Sequence, residues 1–151
     1  MVKHYIIQVG QSHNFIIMSS KNKWYIQDKW KSFCDNVKEG DILWFSANKD
    51  TNDLYHGKII AVATFVSKNE KDFSSPLKIE DAGCGVRDKG PDCNIEIHYT
   101  NLYNLISVKL YTGLERQPRI TFCENIKKGF LINYAEEYER IVKYSQITNT
   151  M

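Results

Sequence analysis

Residues 13–30 read HNFIIMSSKNKWYIQDKW, which places Asn14 ahead of Trp24 and surrounds both with Lys21, Lys23 and Lys29. An indole offers a flat apolar face for stacking, a carboxamide donates and accepts along one edge, and lysines attract phosphates. Those are the groups needed to hold an unstacked base: its face against Trp24, its edge near Asn14, its backbone among the lysines. Each residue also has a plainer reading. Asparagine commonly closes a turn, and Trp24 can serve as an edge of the core. Trp30 differs from Trp24, because Trp30, Phe33, Cys34 and Val37 recur at i, i+3, i+4 and i+7, the mark of one buried helical face. Trp24 lies where neither alternation nor helical period holds.

The third tryptophan falls in DILWFSA, residues 41–47, where Ile42, Trp44 and Ser46 alternate with Leu43 and Phe45. Both faces are apolar enough to be buried, which requires helices over the sheet. Trp44 then belongs to the core, unless its strand end faces a cleft. Tyr99, Tyr103 and Tyr111 read either as a stacking array or as half-buried strand tyrosines. His13 and His56 stand without other ligand types, and Cys34, Cys84, Cys93 and Cys123 form no CxxC pair, so neither a metal site nor a disulfide framework is expected. No cofactor is implied. G-x-S-x-G, P-loop and HExxH patterns are all missing.

A chain of 151 residues with 42% hydrophobic content suits a single domain over 1–151. Its longest apolar runs, such as Ile59–Ala63, fall far short of the roughly 18 residues that span a bilayer, and residues 1–10 lack a signal-peptide layout. The expectation is a soluble, intracellular protein with no membrane partner. A net charge of +2 is too small to announce nucleic acid, but residues 1–40 carry six lysines against three acids. Arg116, Arg119, Lys127 and Lys128 form a second basic segment. Lysine outnumbers arginine 16 to 4, which fits an AT-rich genome.

These residues must be positioned by short elements. Strands are expected at HYIIQV (4–9), DILWFSA (41–47), GKIIAVATFVS (57–67), NIEIHYTN (94–101), LISVKLY (105–111) and RITFC (119–123). The KEGD turn precedes the second, and the polar loop NKDTNDLYH suits a hairpin between the second and third. One helix is expected from Asp28. Another opens near Asn133, with Glu136 three residues on and an apolar stripe of Tyr134, Tyr138, Ile141 and Val142.

The run HYIIQVGQSHNFIIMSSKNKW, a helix, EGDILWFSANKD and GKIIAVATF together resemble the YTH and EVE domains of the PUA-like superfamily. The stretch CNIEIHYTNLYNL is similar to a later family strand, and INYAEEYERIVKYS to the closing helix of EVE domains. The likeness covers nearly the whole chain and extends to EVE-like proteins of large DNA viruses, which would place the protein in the cytoplasm, a viral factory or a virion. It implies an α+β fold with a curved, barrel-like mixed sheet of about six strands and two or three flanking helices.

The resemblance sets Asn14 on the base-reading asparagine and Trp24 on the first wall of an aromatic cage. Tyr25, Trp44 and Ser46 complete the expected base-binding group. The segment expected to supply a second cage tryptophan has none, which leaves Phe73, Leu77 or Val86 as the other wall. Gln8 stands where YTH domains have a lysine, and Tyr25 where they have a serine. Phosphates fall to Lys21, Lys23, Lys29 and Arg119. The function implied is non-enzymatic recognition of a modified base, of the methylated adenine or cytosine type, in single-stranded nucleic acid or as a flipped base. Two alternatives stand beside it. One is a PUA-like hydrolase acting on a modified nucleoside through Lys21 or Lys23 with Glu96. The other is a structural or virion protein that keeps the fold without an active pocket.

Overall fold

Six strands form one mixed sheet, curled into a half-barrel, in the computed structural model, which describes residues 1–9, 22–26, 30–47, 57–70, 95–105, 118–126 and 133–150. The strands are β1 (His4–Gln8), β2 (Lys23–Ile26), β3 (Ile42–Ser46), β4 (Ile59–Glu70), β5 (Ile95–Asn104) and β6 (Ile120–Phe122), in the order β2-β5-β4-β3-β1-β6. Helix α1 (Lys31–Asn36) lies between β2 and β3, and α2 (Tyr134–Thr150) closes the described chain.

β1 runs parallel to β3, while every other pairing is antiparallel. A parallel neighbour needs a crossover of a dozen or more residues, and the chain between β1 and β3, including β2 and α1, provides it. Register shifts at Phe45/Ser46, Val62/Thr64 and Phe65/Ser67 add local twist, which curls a twelve-residue β4 and a ten-residue β5 rather than leaving them flat.

Both sheet faces are buried at β1 and β3, as the two apolar faces of DILWFSA require. Tyr5, Ile7, Leu43 and Phe45 share one cluster with Phe33, Cys34 and Val37 of the α1 region. Ile6, Ile42, Trp44 and Val62 share the other with Ile141, and Tyr134 and Tyr138 of α2 pack against it. The KEGD turn forms with Gly40 at φ 96°, a conformation that favours glycine. The Asp41 carboxylate accepts from Lys3 N at 3.0 Å and Lys38 N at 2.9 Å, so one buried side chain anchors both the turn and the start of β1.

Three expectations need correction. Lys23–Ile26 is a strand although its sequence shows no alternation, because Trp24, Tyr25 and Ile26 are all buried and no exposed face marks the period. Helix α1 begins at Lys31 rather than Asp28, so Trp30 precedes the helix instead of lying on its stripe. β5 extends to Asn104, past the expected NIEIHYTN. Residues 106–111 of the expected strand LISVKLY lie outside the described residues. Among the described residues no helix is long and apolar enough to cross a membrane.

Candidate functional site

β2 is an edge strand whose described partner is β5, with Lys23 opposite His98, Trp24 opposite Ile97, Tyr25 opposite Glu96 and Ile26 opposite Ile95. Directly paired residues project to the same side, and sides alternate along a strand. The two-strand edge therefore has an apolar face of Trp24, Ile26, Ile95 and Ile97 and a polar face of Lys23, Tyr25, Glu96 and His98.

The polar face is a connected network centred on a carboxylate. Glu96 is 3% exposed. It accepts a hydrogen bond from the Tyr25 hydroxyl, lies 2.6 Å from His98 Nε2 and pairs with Lys23 Nζ at 3.8 Å. The Lys23 ammonium also stands 5.7 Å from the centroid of the Tyr25 ring. Burying a carboxylate is costly unless several donors surround it, and these three side chains supply them. A lysine, a tyrosine and a histidine converging on one carboxylate also have the groups needed to pass a proton.

The other expected site residues are distributed as follows. Trp24 is 1% exposed and belongs to the α1-side cluster. Trp44 is fully buried in the opposite cluster, where its indole N–H donates to His4 Nδ1 at 3.0 Å. The two tryptophans therefore do not share a face, and Trp44 does not join Trp24 in the expected base-binding group. Burial lowers the His4 pKa to about 4, against a smaller opposing effect of Asp41, so the ring is neutral at pH 7. Ser46 donates to the Gln8 side chain, and Arg119 Nη1 donates to the Gln8 backbone oxygen at 3.0 Å. Gln8 N in turn donates to Arg119 O at 2.7 Å, so Arg119 fastens the entry of β6 to β1. Asn14, Lys21, Lys29, Phe73, Leu77 and Val86 lie outside the described residues.

The structure thus joins Tyr25 with Lys23 through Glu96, and Ser46 with Arg119 through Gln8. His98 enters the first network without having been singled out; its position two residues after Glu96, on the same strand face, was the available signal. Trp30 was expected in the core; it packs against the cluster of Phe33, Cys34 and Val37 while staying partly exposed, and it lines a groove with Tyr5 and Phe122. Cys34 and Cys123 are buried thiols, and burial raises the Cys123 pKa. Among the described residues no group of three or more His, Cys, Asp or Glu side chains is placed to hold a metal ion.

No protein-family model matches the chain, and no curated protein matches it.

Proposed function

We propose that the chain is a non-enzymatic nucleic-acid-binding module that takes a modified base, of the methylated adenine or cytosine type, against Trp24. The observation that carries this reading is the placement of Trp24 on an edge strand, directly after the segment 10–21 that contains Asn14 and Lys21. A curled mixed sheet, with a helix after the tryptophan strand, a hairpin and a closing helix, is also the element order that a PUA-like reader requires. The 1% exposure of Trp24 imposes a condition. A base reaches the ring only after the groups over it move aside, and affinity falls by the fraction of molecules that are open.

The test is a panel of matched methylated and unmethylated DNA and RNA oligonucleotides, bound to the wild type and to Trp24→Leu, which keeps apolar bulk and loses the stacking plane. A buried methyl favours the methylated strand by about fourfold, from roughly 0.8 kcal/mol per carbon. Loss of stacking weakens binding at least about fivefold and removes that preference. Equal binding by both proteins across the panel would refute the reading.

A second reading rests on a separate observation, the 3.8 Å approach of Lys23 Nζ to buried Glu96 with Tyr25 and His98 beside them. It makes the chain a hydrolase of a modified nucleoside, with Glu96 handling the proton. A reader returns its oligonucleotide unchanged, whereas a hydrolase leaves a nucleoside of altered mass.

A further inference from the structure

The three tryptophans differ in exposure: Trp24 and Trp44 are 1% and 0% exposed, whereas Trp30 is only partly buried. Trp30 lines an open groove of about 340 Å³ between α1 and the β1–β6 edge of the sheet. Tyr5 forms its floor and is fixed by two neighbours, Phe33 at 5.0 Å and nearly perpendicular (82°), and Phe122 at 5.5 Å and tilted by 41°. Trp30 and Phe122 also line the groove, each packed against the core cluster that contains Tyr5 and each partly exposed. Aromatic rings packed against a core in this way bind a flat ring with little ordering cost.

The rim has polar groups of a matching kind. Asn36 Nδ2 donates to Ser32 O at 2.7 Å, which orients a carboxamide at the mouth of the groove. Lys3 is the charged residue of the lining, which contains no acid. The Tyr5 phenol is neutral near pH 7, and burial, with a smaller contribution from Asp41, raises its pKa further. The nearby Asp41 carboxylate is turned to the backbone N–H groups of Lys3 and Lys38. The volume sits at the small end of the roughly 300–1,000 Å³ of small-molecule sites, the scale of one nucleotide rather than an extended peptide.

We propose that this groove binds a nucleobase bearing a phosphate, with the ring stacked on Trp30, its edge near Asn36 and its phosphate on Lys3. The ligand is one unmodified nucleotide of a nucleic-acid strand. The inference rests on the nucleic-acid half of the proposed function and needs neither the methyl group nor Trp24.

Two ligands separate a free nucleotide from a strand: thymidine 5′-monophosphate and an unmodified single-stranded oligothymidylate. Binding is measured by calorimetry for the wild type, Trp30→Ala and Lys3→Ala, with wild-type tryptophan emission followed in parallel. Emission is expected to fall saturably with both ligands, and the oligothymidylate to bind more tightly. Trp30→Ala should weaken binding at least about fivefold. Lys3→Ala, an exposed change that keeps the backbone contact to Asp41, should reduce the salt slope by about one phosphate contact. Weakened binding by both variants with no preference for methylated strands would support the groove and sink the Trp24 reading. Wild-type affinity in both variants would overturn the groove, even if a methyl preference persisted. Saturable binding of a proline-rich peptide with no response to either nucleotide would overturn it as well.

Discussion

Trp44 and His4 are joined inside the molecule, the indole N–H donating to His4 Nδ1 at 3.0 Å with ring centroids 6.2 Å apart. Nδ1 can accept only if the imidazole carries its proton on Nε2 and is neutral. Tyr134 covers the ring at 4.7 Å, so α2 helps to exclude the water that a charged imidazole needs. This is why the His4 pKa falls from 6.5 to about 4.

The folded protein therefore binds this proton more weakly than the unfolded chain. Stability should be full above about pH 6.5 and should fall as pH drops towards about 4, with a maximum loss of about 3 kcal/mol. Urea midpoints measured across that window should show the slope in the wild type and a flatter response in His4→Gln. Parallel curves would place the acid sensitivity elsewhere.

Tyr25, His98 and Lys23 are side-chain partners of Glu96 of unequal value. The Tyr25 hydrogen bond is buried and charge-assisted, whereas the Lys23 ammonium is 3.8 Å away with its side chain 24% exposed. Tyr25→Phe should destabilise by about 1–3 kcal/mol and Lys23→Ala by less than about 1 kcal/mol. If denaturant curves reversed that order, the ion pair rather than the phenol would be holding the β2 edge.

Asp41 connects two segments that meet only through the fold. Asp41→Ala leaves the N–H groups of Lys3 and Lys38 without their acceptor and should cost about 2 kcal/mol. Asp41→Asn keeps one acceptor oxygen and should recover part of that loss. Faster hydrogen exchange at Lys3 and Lys38, with β4–β5 exchange unchanged, would localise the effect to the turn and the start of β1.

Strong periodic signals carried most of the architecture. The β-branched runs of β1, β3 and β4, the two apolar faces around Trp44 and the stripe of Tyr134, Tyr138 and Ile141 all correspond to observed packing. β2 was hidden because a four-residue edge strand buried on both sides has no alternation to read. Trp30 packs against the cluster of Phe33, Cys34 and Val37 as its spacing suggested, but that spacing extends the helical period one residue beyond the helix, which starts at Lys31. The chemistry of Lys23 and Glu96 was readable as a candidate pair, but their approach depends on β2 pairing with β5 across 73 residues (96 − 23). Likewise, nothing local says that Trp24 and Trp44 face opposite sides of one sheet; that follows from strand order and register.

Collisional quenching turns the unequal burial of the tryptophans into a measurement. Acrylamide reaches exposed indoles, so Trp30 should account for nearly all of the readily quenched emission, given 1% exposure at Trp24 and 0% at Trp44. Trp30→Phe should remove that component, while Trp24→Phe and Trp44→Phe should leave it. The Trp24 variant is the informative one, because base capture at Trp24 requires an open conformation. If only about one molecule in a hundred is open, binding at Trp24 is about a hundredfold weaker than the intrinsic pocket allows. A quenchable fraction that disappears in Trp24→Phe would mean that the open form is well populated before any ligand arrives. A fraction that disappears only in Trp30→Phe would mean that the ligand must supply the opening free energy itself.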